Sequence, residues 1–274
     1  MSYPIKESAN IKRTSTPRRD AILAHEEQER DSKLLETFVM RKDELSEPAA
    51  RHHLVGGFNR RVLMLAAGRR IIEDITHSPR DKPIGVYRAT DLAVQLNAYY
   101  LNLCGALDNL AWAIQYEWQI LPGITETEKG ATKAGLFVRS FLTALSVSQP
   151  TLAKALEGHK TWHEELRRLR DPAAHRIPLY AIPGYLTEDS AKEYRRLESL
   201  GAEKGKAGNH QGMMELIHQA SALGAYEPLM SIWTPSGERL VNAWDSIVRD
   251  HRQFQMVAQL VSTALFPRVR ANTR

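Results

Sequence analysis

The spacing of apolar residues along the chain predicts a mostly helical protein. Apolar side chains recur at the 3.6-residue period of an α-helix in eight segments: residues 17–45, 59–76, 90–118, 136–145, 150–156, 159–170, a stretch that begins at 187, and 238–265. The segment 90–118 is apolar nearly all round. Such a pattern is typical of a helix at the centre of a bundle.

The remaining segments are short or polar. Residues 177–186 and 228–233 are proline-bounded and partly β-prone, so we predict that they pair as a small ribbon. Glycines within 201–212 interrupt the helix between them and indicate a mobile loop or an insertion. The polar residues 1–15 are expected to be flexible. The predicted fold is an all-α helical bundle with a minor short β ribbon, forming one domain over residues 16–274.

Composition excludes several classes of protein. The chain carries 37 basic and 32 acidic side chains, a net charge of +5, which permits nucleic-acid binding without indicating it. Cys104 is the single cysteine, which excludes a disulfide framework and an iron–sulfur cluster and favours a reducing compartment. Met1–Ile11 lacks the apolar stretch that a secretory signal contains. No run of consecutive apolar residues in the sequence approaches the 18 that a membrane-spanning helix needs. We therefore expect a cytoplasmic protein that does not span a membrane.

Common catalytic motifs are absent from the sequence. No glycine-rich phosphate loop and no nucleophile elbow occur. His159 and His163 lie four residues apart beside Glu164, but a third ligand is missing, so a solvated helix face is favoured and no metal or cofactor is expected. His251, on the apolar face of the last helix, is predicted to be a hydrogen-bonded core residue. The pair His52–His53 has no evident companions.

Charged residues concentrate in the segment EELRRLRDPAAHRIPLY, residues 164–180. Asp171 precedes Pro172, and because a residue before proline avoids the α conformation, we predict that the helix ends there. On an unbroken helix, Arg170 and His175 would lie about 140° apart around the axis. A break would allow both side chains to converge at a junction between helices.

A carboxylate on the central helix is the expected companion of this junction. Four polar residues recur every seven positions along that helix: Gln95, Asn102, Asn109 and Tyr116. Asp108 lies beside this line among apolar neighbours. Because an unpaired buried charge is costly, we expect Asp108 to be buried and within hydrogen-bonding reach of a basic group or of the Arg170–His175 junction.

The succession of Arg170, Asp171 and His175 resembles the motif of the HEPN superfamily (higher eukaryotes and prokaryotes nucleotide-binding domains). These are helical bundles with an arginine, a polar residue directly after it, and a histidine four to six residues on. The resemblance covers about residues 89–180. It implies a metal-independent endoribonuclease, toxin or defence-related, in which a homodimer joins two motifs into one site.

The resemblance also implies roles for individual residues. His175 would be the general base or acid, and Arg170 would stabilise the charge of the phosphorane while the ribose 2′-hydroxyl attacks. Asp171 and Asp108 would orient these groups, with Asp108 or Asn109, in the segment ALDNLAWAI, as the polar residue of a preceding helix. The candidate contacts to the RNA backbone are Arg167, Arg168, Arg176 and Asn109.

Several alternatives stay open. Comparable arginine–histidine pairs, six or seven positions apart, occur at other places: Arg19 with His25, Arg70 with His77, and Arg168 with His175. In the main alternative function, the chain is a non-catalytic helical module that binds a nucleotide, RNA or a protein, and Arg170 and Asp108 form a structural pair. In a third alternative, the protein is a scaffold subunit whose charged segment 24–33 recruits another chain. An antitoxin or another protein is a candidate partner in the leading interpretation.

Overall fold

The computed structural model describes residues 17–127, 133–175, 177–234 and 237–267, without the side chains of 17–25, 175 and 234. Over these residues the protein is an all-α helical bundle with a minor antiparallel β ribbon, as the sequence predicted. No helix in the described ranges is both long enough and apolar enough to cross a bilayer.

The helices follow the predicted segments closely. They are α1 (Pro17–Arg41), α2 (Pro48–His52), α3 (Asn59–Thr76), α4 (Val86–Trp118), α5 (Arg139–Ser148), α6 (Pro150–Glu157), α7 (Lys160–His175), α8 (Glu188–Lys206), α9 (His210–Ser221) and α10 (Ala243–Leu265). A 3₁₀ turn, Lys42–Glu44, follows α1, and a π-helical segment, His53–Phe58, joins α2 to α3 without a break. The expected helices therefore exist, and α2 and the π-helical segment are additional to them.

The described chain groups into two compact units, each assembled from separate segments. The first contains Arg70–Leu96 and Ile177–Ser246, and the second contains residues 17–69, 97–175 and 247–267. The expectation of one domain over residues 16–274 stays a prediction.

The first unit contains the ribbon. Its strands are β1 (Tyr180–Ala181), β2 (Leu229–Thr234) and β3 (Gly237–Asn242), in the order β1-β2-β3 with both pairings antiparallel. The predicted pairing of 177–186 with 228–233 is confirmed, with Tyr180 opposite Ser231. The predicted start of the last helix at residue 238 is wrong, because residues 237–242 form β3.

Residues 201–212 are helical for most of their length. Gly201 and Gly205 lie within α8, Gly212 lies within α9, and the turn between these helices contains Gly208 at a φ of +73°. The prediction of a loop is therefore wrong, and the alternative of an insertion stays a prediction. Gly205 in α8 allows close packing, because a β-carbon there would collide with the thioether of Met213.

The second unit has an aromatic and aliphatic core. Phe58 packs edge-on against Phe38, with 5.0 Å between ring centroids, and stacks against Phe254 at 5.7 Å. Along α10 the predicted apolar face is buried: Ile247, His251, Phe254, Ala258, Val261 and Leu265. The repeat of apolar residues therefore predicted correctly which face of the last helix is buried, from residue 247 onward.

Two buried titratable groups of this core, His251 and Asp250, are hydrogen-bonded. His251, fully buried, contacts the hydroxyl of Tyr99 through Nδ1 and a carboxylate oxygen of Asp31 through Nε2, both at 2.9 Å. This confirms His251 as a hydrogen-bonded core histidine. Asp250 accepts hydrogen bonds from Tyr100 Oη at 3.1 Å and Trp162 Nε1 at 3.2 Å. These bonds replace the water that each group loses on folding.

Candidate functional site

An open recess of about 330 Å³ lies in the second unit, where α4, the loop before α5 and α7 meet. Its polar lining comes from α4 and α7: Asp108, His163, Arg167, Arg170 and Asp171. Its apolar lining includes Leu107, Leu136, Phe137 and Val138. The recess therefore brings two carboxyl groups, an imidazole and two guanidinium groups to one surface.

The helical period explains why α7 contributes so many of these groups. His163, Arg167 and Arg170 follow one another at intervals of four and three residues, which places them on one face of the helix. The carboxylate of Asp171 bridges the two arginines, accepting from Arg167 Nη2 at 3.3 Å and from Arg170 Nη1 at 3.1 Å. This bridge fixes both guanidinium groups while leaving them open to solvent.

The predicted helix break at Asp171–Pro172 is wrong. Helix α7 runs unbroken to His175 with the proline inside it. Proline removes one helical hydrogen bond, and here the flanking turns keep their helical form. Around the axis of such a helix, positions 170 and 175 lie about 140° apart. The side chain of His175 and the whole of Arg176 lie outside the described residues, so their roles stay predictions.

Asp108 lines the recess but is exposed, so the expectation that it is buried is wrong. Within the described residues it forms no hydrogen bond or ion pair. Solvent reaches the side chain through the open mouth, yet the crowding of protein atoms around the carboxyl raises its pKa above the usual value. The positive charges of Arg170, Arg61 and Arg167 oppose this rise without cancelling it.

His163 is the histidine that the structure places in the recess. Its ring stacks on that of Phe137, with 4.3 Å between centroids and 20° between planes. Burial, with a smaller effect from the charge of Arg167, lowers the pKa of His163 to about 4, against an opposing effect of Asp171. The imidazole is therefore neutral at pH 7 and can accept a proton.

In the sequence, His163 indicates either a metal ligand or, as favoured above, part of a solvated helix face. The available signal was its spacing from Arg167 and Arg170, which would have grouped all three on one helical face. Across the part of the chain that the structure describes, no group of three histidine, cysteine, aspartate or glutamate residues is arranged to hold a metal ion.

Arg168 and Cys104 differ in their relation to the recess. Arg168 is exposed on α7 and is not among the residues that line the recess. Cys104 lines it as a buried thiol whose pKa is raised to about 12, chiefly by burial, so it is protonated. The suggested structural pair of Arg170 with Asp108 is not formed, because Arg170 hydrogen-bonds to Asp171 instead.

Asn109 belongs to a polar contact between α4 and the start of α3. Arg61 donates from Nε to Asn109 Oδ1 and from Nη1 to Asn102 Oδ1, both at 3.1 Å. The guanidinium lies over Gly105, where a β-carbon would overlap it. Asn109 Nδ2 also lies 3.2 Å from Nδ1 of His53. The predicted contact of Asn109 with RNA stays a prediction.

No protein-family model, no curated protein and no solved structure matches this chain. The chemistry of the recess therefore has to be argued from its residues.

Proposed function

We propose that the recess is the active centre of a metal-independent endoribonuclease, similar to those of the HEPN superfamily. The observation that carries the proposal is the presence of two guanidinium groups, a neutral imidazole and a carboxyl of raised pKa in one open recess. Perturbed titratable groups that converge in a recess are typical of catalytic sites.

Each group has a part in the reaction. Arg170, held by Asp171, binds the non-bridging oxygens of the scissile phosphate and stabilises the charge of the phosphorane. A ring nitrogen of His163 accepts the proton of the ribose 2′-hydroxyl as the bond between O2′ and phosphorus forms. The bond from phosphorus to O5′ breaks, and the carboxylic acid form of Asp108 donates a proton to the departing oxygen. The products are a 2′,3′-cyclic phosphate and a 5′-hydroxyl.

His175 is the alternative base or acid in this proposal, as the family resemblance implies. The same resemblance leads us to propose a homodimer, a cytoplasmic toxin or defence role, and an antitoxin or another protein as partner. Light scattering that gives twice the 31.0 kDa mass of one chain supports the dimer, and a single-chain mass at all concentrations contradicts it.

Incubation of the purified protein with mixed RNA, with and without EDTA, tests the activity. We expect chelator-insensitive cleavage to cyclic phosphate ends, reduced about 100- to 1000-fold by Arg170→Ala and by His163→Gln. Arg30→Ala removes an equal charge from an exposed pair on α1 and should leave the rate unchanged. Loss of cleavage in EDTA, or full activity of Arg170→Ala, contradicts the proposal.

A non-catalytic module that binds nucleotide, RNA or protein through the same recess is the second candidate. The bridge of Asp171 to Arg167 and Arg170 favours it, because the guanidinium charge already has a counter-ion. Saturable RNA binding that Arg170→Ala weakens, with no cleaved product after long incubation, would select this function over catalysis.

A further inference from the structure

A second cluster of polar and aromatic groups lies along α4, beyond Asp108, and the ribonuclease proposal leaves it unused. It contains Asn109, Trp112, Tyr116, His53 and Glu126. We propose that this cluster is a base-binding subsite that selects guanine in single-stranded RNA. The choice of RNA as the ligand rests on the proposed function, whereas the choice of guanine rests on the cluster.

A directed chain of hydrogen bonds organises the cluster. Arg61 Nε donates to Asn109 Oδ1 at 3.1 Å, and Asn109 Nδ2 then donates to Nδ1 of His53 at 3.2 Å. Because this nitrogen accepts, the proton of a neutral His53 ring is assigned to Nε2, which donates to Glu126 Oε1 at 2.8 Å. Every donor in this series of hydrogen bonds therefore points towards the carboxylate of Glu126.

The carboxylate at the end of the chain is held ionised and open to solvent. Burial raises the pKa of Glu126, but hydrogen bonds from His53 and Tyr116 outweigh that effect and bring the pKa below its usual value. Both bonds go to Oε1, with Tyr116 Oη at 3.0 Å. Within the described residues Oε2 has no hydrogen-bond partner, and the side chain is 54% exposed. A positioned, charged acceptor thus faces solvent.

Aromatic rings form a layered surface next to this acceptor. The ring of His53 is nearly parallel to those of Tyr116 and Trp112, at 19° and 20°, with centroids 5.5 and 6.1 Å away. His53 and Trp112 are buried, whereas Tyr116 is half-buried and His52, the preceding residue, is exposed. Unpaired bases stack on such partly exposed aromatic rings while polar groups read their edges.

Guanine is the base whose edge fits a carboxylate best. Its N1–H and N2–H groups are two adjacent donors on one edge, so both can point at Glu126. Adenine and cytosine each place a ring-nitrogen acceptor beside their amino group, and uracil places carbonyl oxygens on both sides of its single N–H. Those acceptors repel a carboxylate, and the hydrogen-bond partners of Oε1 leave Glu126 ionised rather than able to donate.

The local backbone and the spacing along α4 suit this role. His53 begins the π-helical segment, a type of distortion that is frequent at functional sites. Tyr116 lies eight positions after Asp108, about 12 Å along the helix. One RNA strand can therefore place its phosphate in the recess and a neighbouring base on the cluster.

Ligand-observed NMR with the four unphosphorylated nucleosides and the full chain tests the subsite. Guanosine carries no phosphate, so its binding is independent of the recess. We expect saturable binding of guanosine at least tenfold tighter than that of adenosine, cytidine or uridine, and loss of this preference in Glu126→Gln. Glu36→Gln, which changes an exposed carboxylate on α1, should keep the preference. Tyr116→Leu should weaken the binding of guanosine by removing its stacking surface.

The outcomes separate the two proposals. Guanosine binding by a wild-type protein that cleaves no RNA supports the subsite and contradicts the proposed catalysis, and this binding should persist in Arg170→Ala. No saturable guanosine binding, or a preference that Glu126→Gln leaves unchanged, overturns the subsite even if RNA is cleaved. If Glu126→Gln lowers only the melting temperature while wild-type protein binds no nucleoside, the cluster is a structural link and the inference is wrong.

Discussion

The side-chain amide of Asn109 occupies the space that any side chain at Gly57 would need. This contact sets how closely the π-helical segment approaches α4, and it aligns Asn109 between Arg61 and His53. The glycine is thus required for close approach, independently of its backbone freedom.

Gly57→Ala should therefore destabilise the protein by about 1–3 kcal/mol, because the added methyl group displaces the Asn109 amide. Urea denaturation measures the change. Gly201→Ala is the matched control, since a β-carbon there meets only Leu216 at 3.8 Å and Met213 at 4.0 Å. That helical substitution should be neutral or stabilising by up to about 1 kcal/mol. Equal stability of Gly57→Ala and the wild type would show that the segment relaxes freely.

His251→Leu should cost about 3 kcal/mol or more. The substitution leaves the buried carboxylate of Asp31 without its imidazole partner and the hydroxyl of Tyr99 without an acceptor. The melting temperature of this variant is compared with that of His218→Leu, which changes an exposed histidine on α9. The comparison isolates the effect of burial. A melting temperature within a degree of the wild-type value would mean that the pair contributes no net stability.

The helices were predictable because their apolar residues repeat along the chain, as in α3 and α10. The break at Pro172 was predicted wrongly, because the rule for residues before proline is local. In the folded protein Leu166 and Leu169 anchor α7 in the core. The strand β3 was missed since Leu240 continues the apolar spacing of α10. Pairing with β2, which the local pattern does not report, determines its conformation.

The site was predictable in part, from Arg170 and Asp171 on α7 and from Asp108 on α4. Arg170 and Asp171 are adjacent and were identified, whereas the environment of His163 depends on Phe137 from the preceding loop. Asp108 looked buried from its helical neighbours, but the recess in front of it is open. The bond between His53 and Glu126 joins distant segments, and no pattern in the sequence indicates it.

Cys104 should react slowly with thiol reagents in the native state. The thiol is 7% exposed and its pKa of about 12 leaves almost no thiolate at pH 8. Ellman's reagent at pH 8 should therefore modify it far more slowly in buffer than in urea. A native rate close to that in urea would mean that the recess opens often enough to expose the thiol.

Stability should depend on the titration of His163. Its folded-state pKa of about 4 lies below the value of about 6.5 for an unfolded chain, so between these values the unfolded state binds the extra proton. The free energy of unfolding should thus rise as pH increases from 4 to 6.5, by up to about 3 kcal/mol from this group. His163→Phe, which keeps the stacking on Phe137, should flatten the rise. Urea denaturation at pH 4.5 and 7.5 measures the difference in the free energy of unfolding between the two pH values. The same difference in His163→Phe and the wild type would contradict this assignment.

The pH dependence of RNA cleavage should reflect His163 and Asp108 together. The proposed reaction needs neutral His163, so kcat/KM should fall as pH drops through about 4. It also needs protonated Asp108, so the rate should fall as pH rises above the raised pKa of that carboxyl. The optimum should therefore be acidic. Asp108→Asn cannot donate the proton, so its rate should be about 100- to 10,000-fold lower. The decline in rate at higher pH should also be absent in this variant. A rate that increases steadily up to pH 8, or an Asp108→Asn variant with an unchanged profile, would remove Asp108 from the mechanism and favour His175 as the acid.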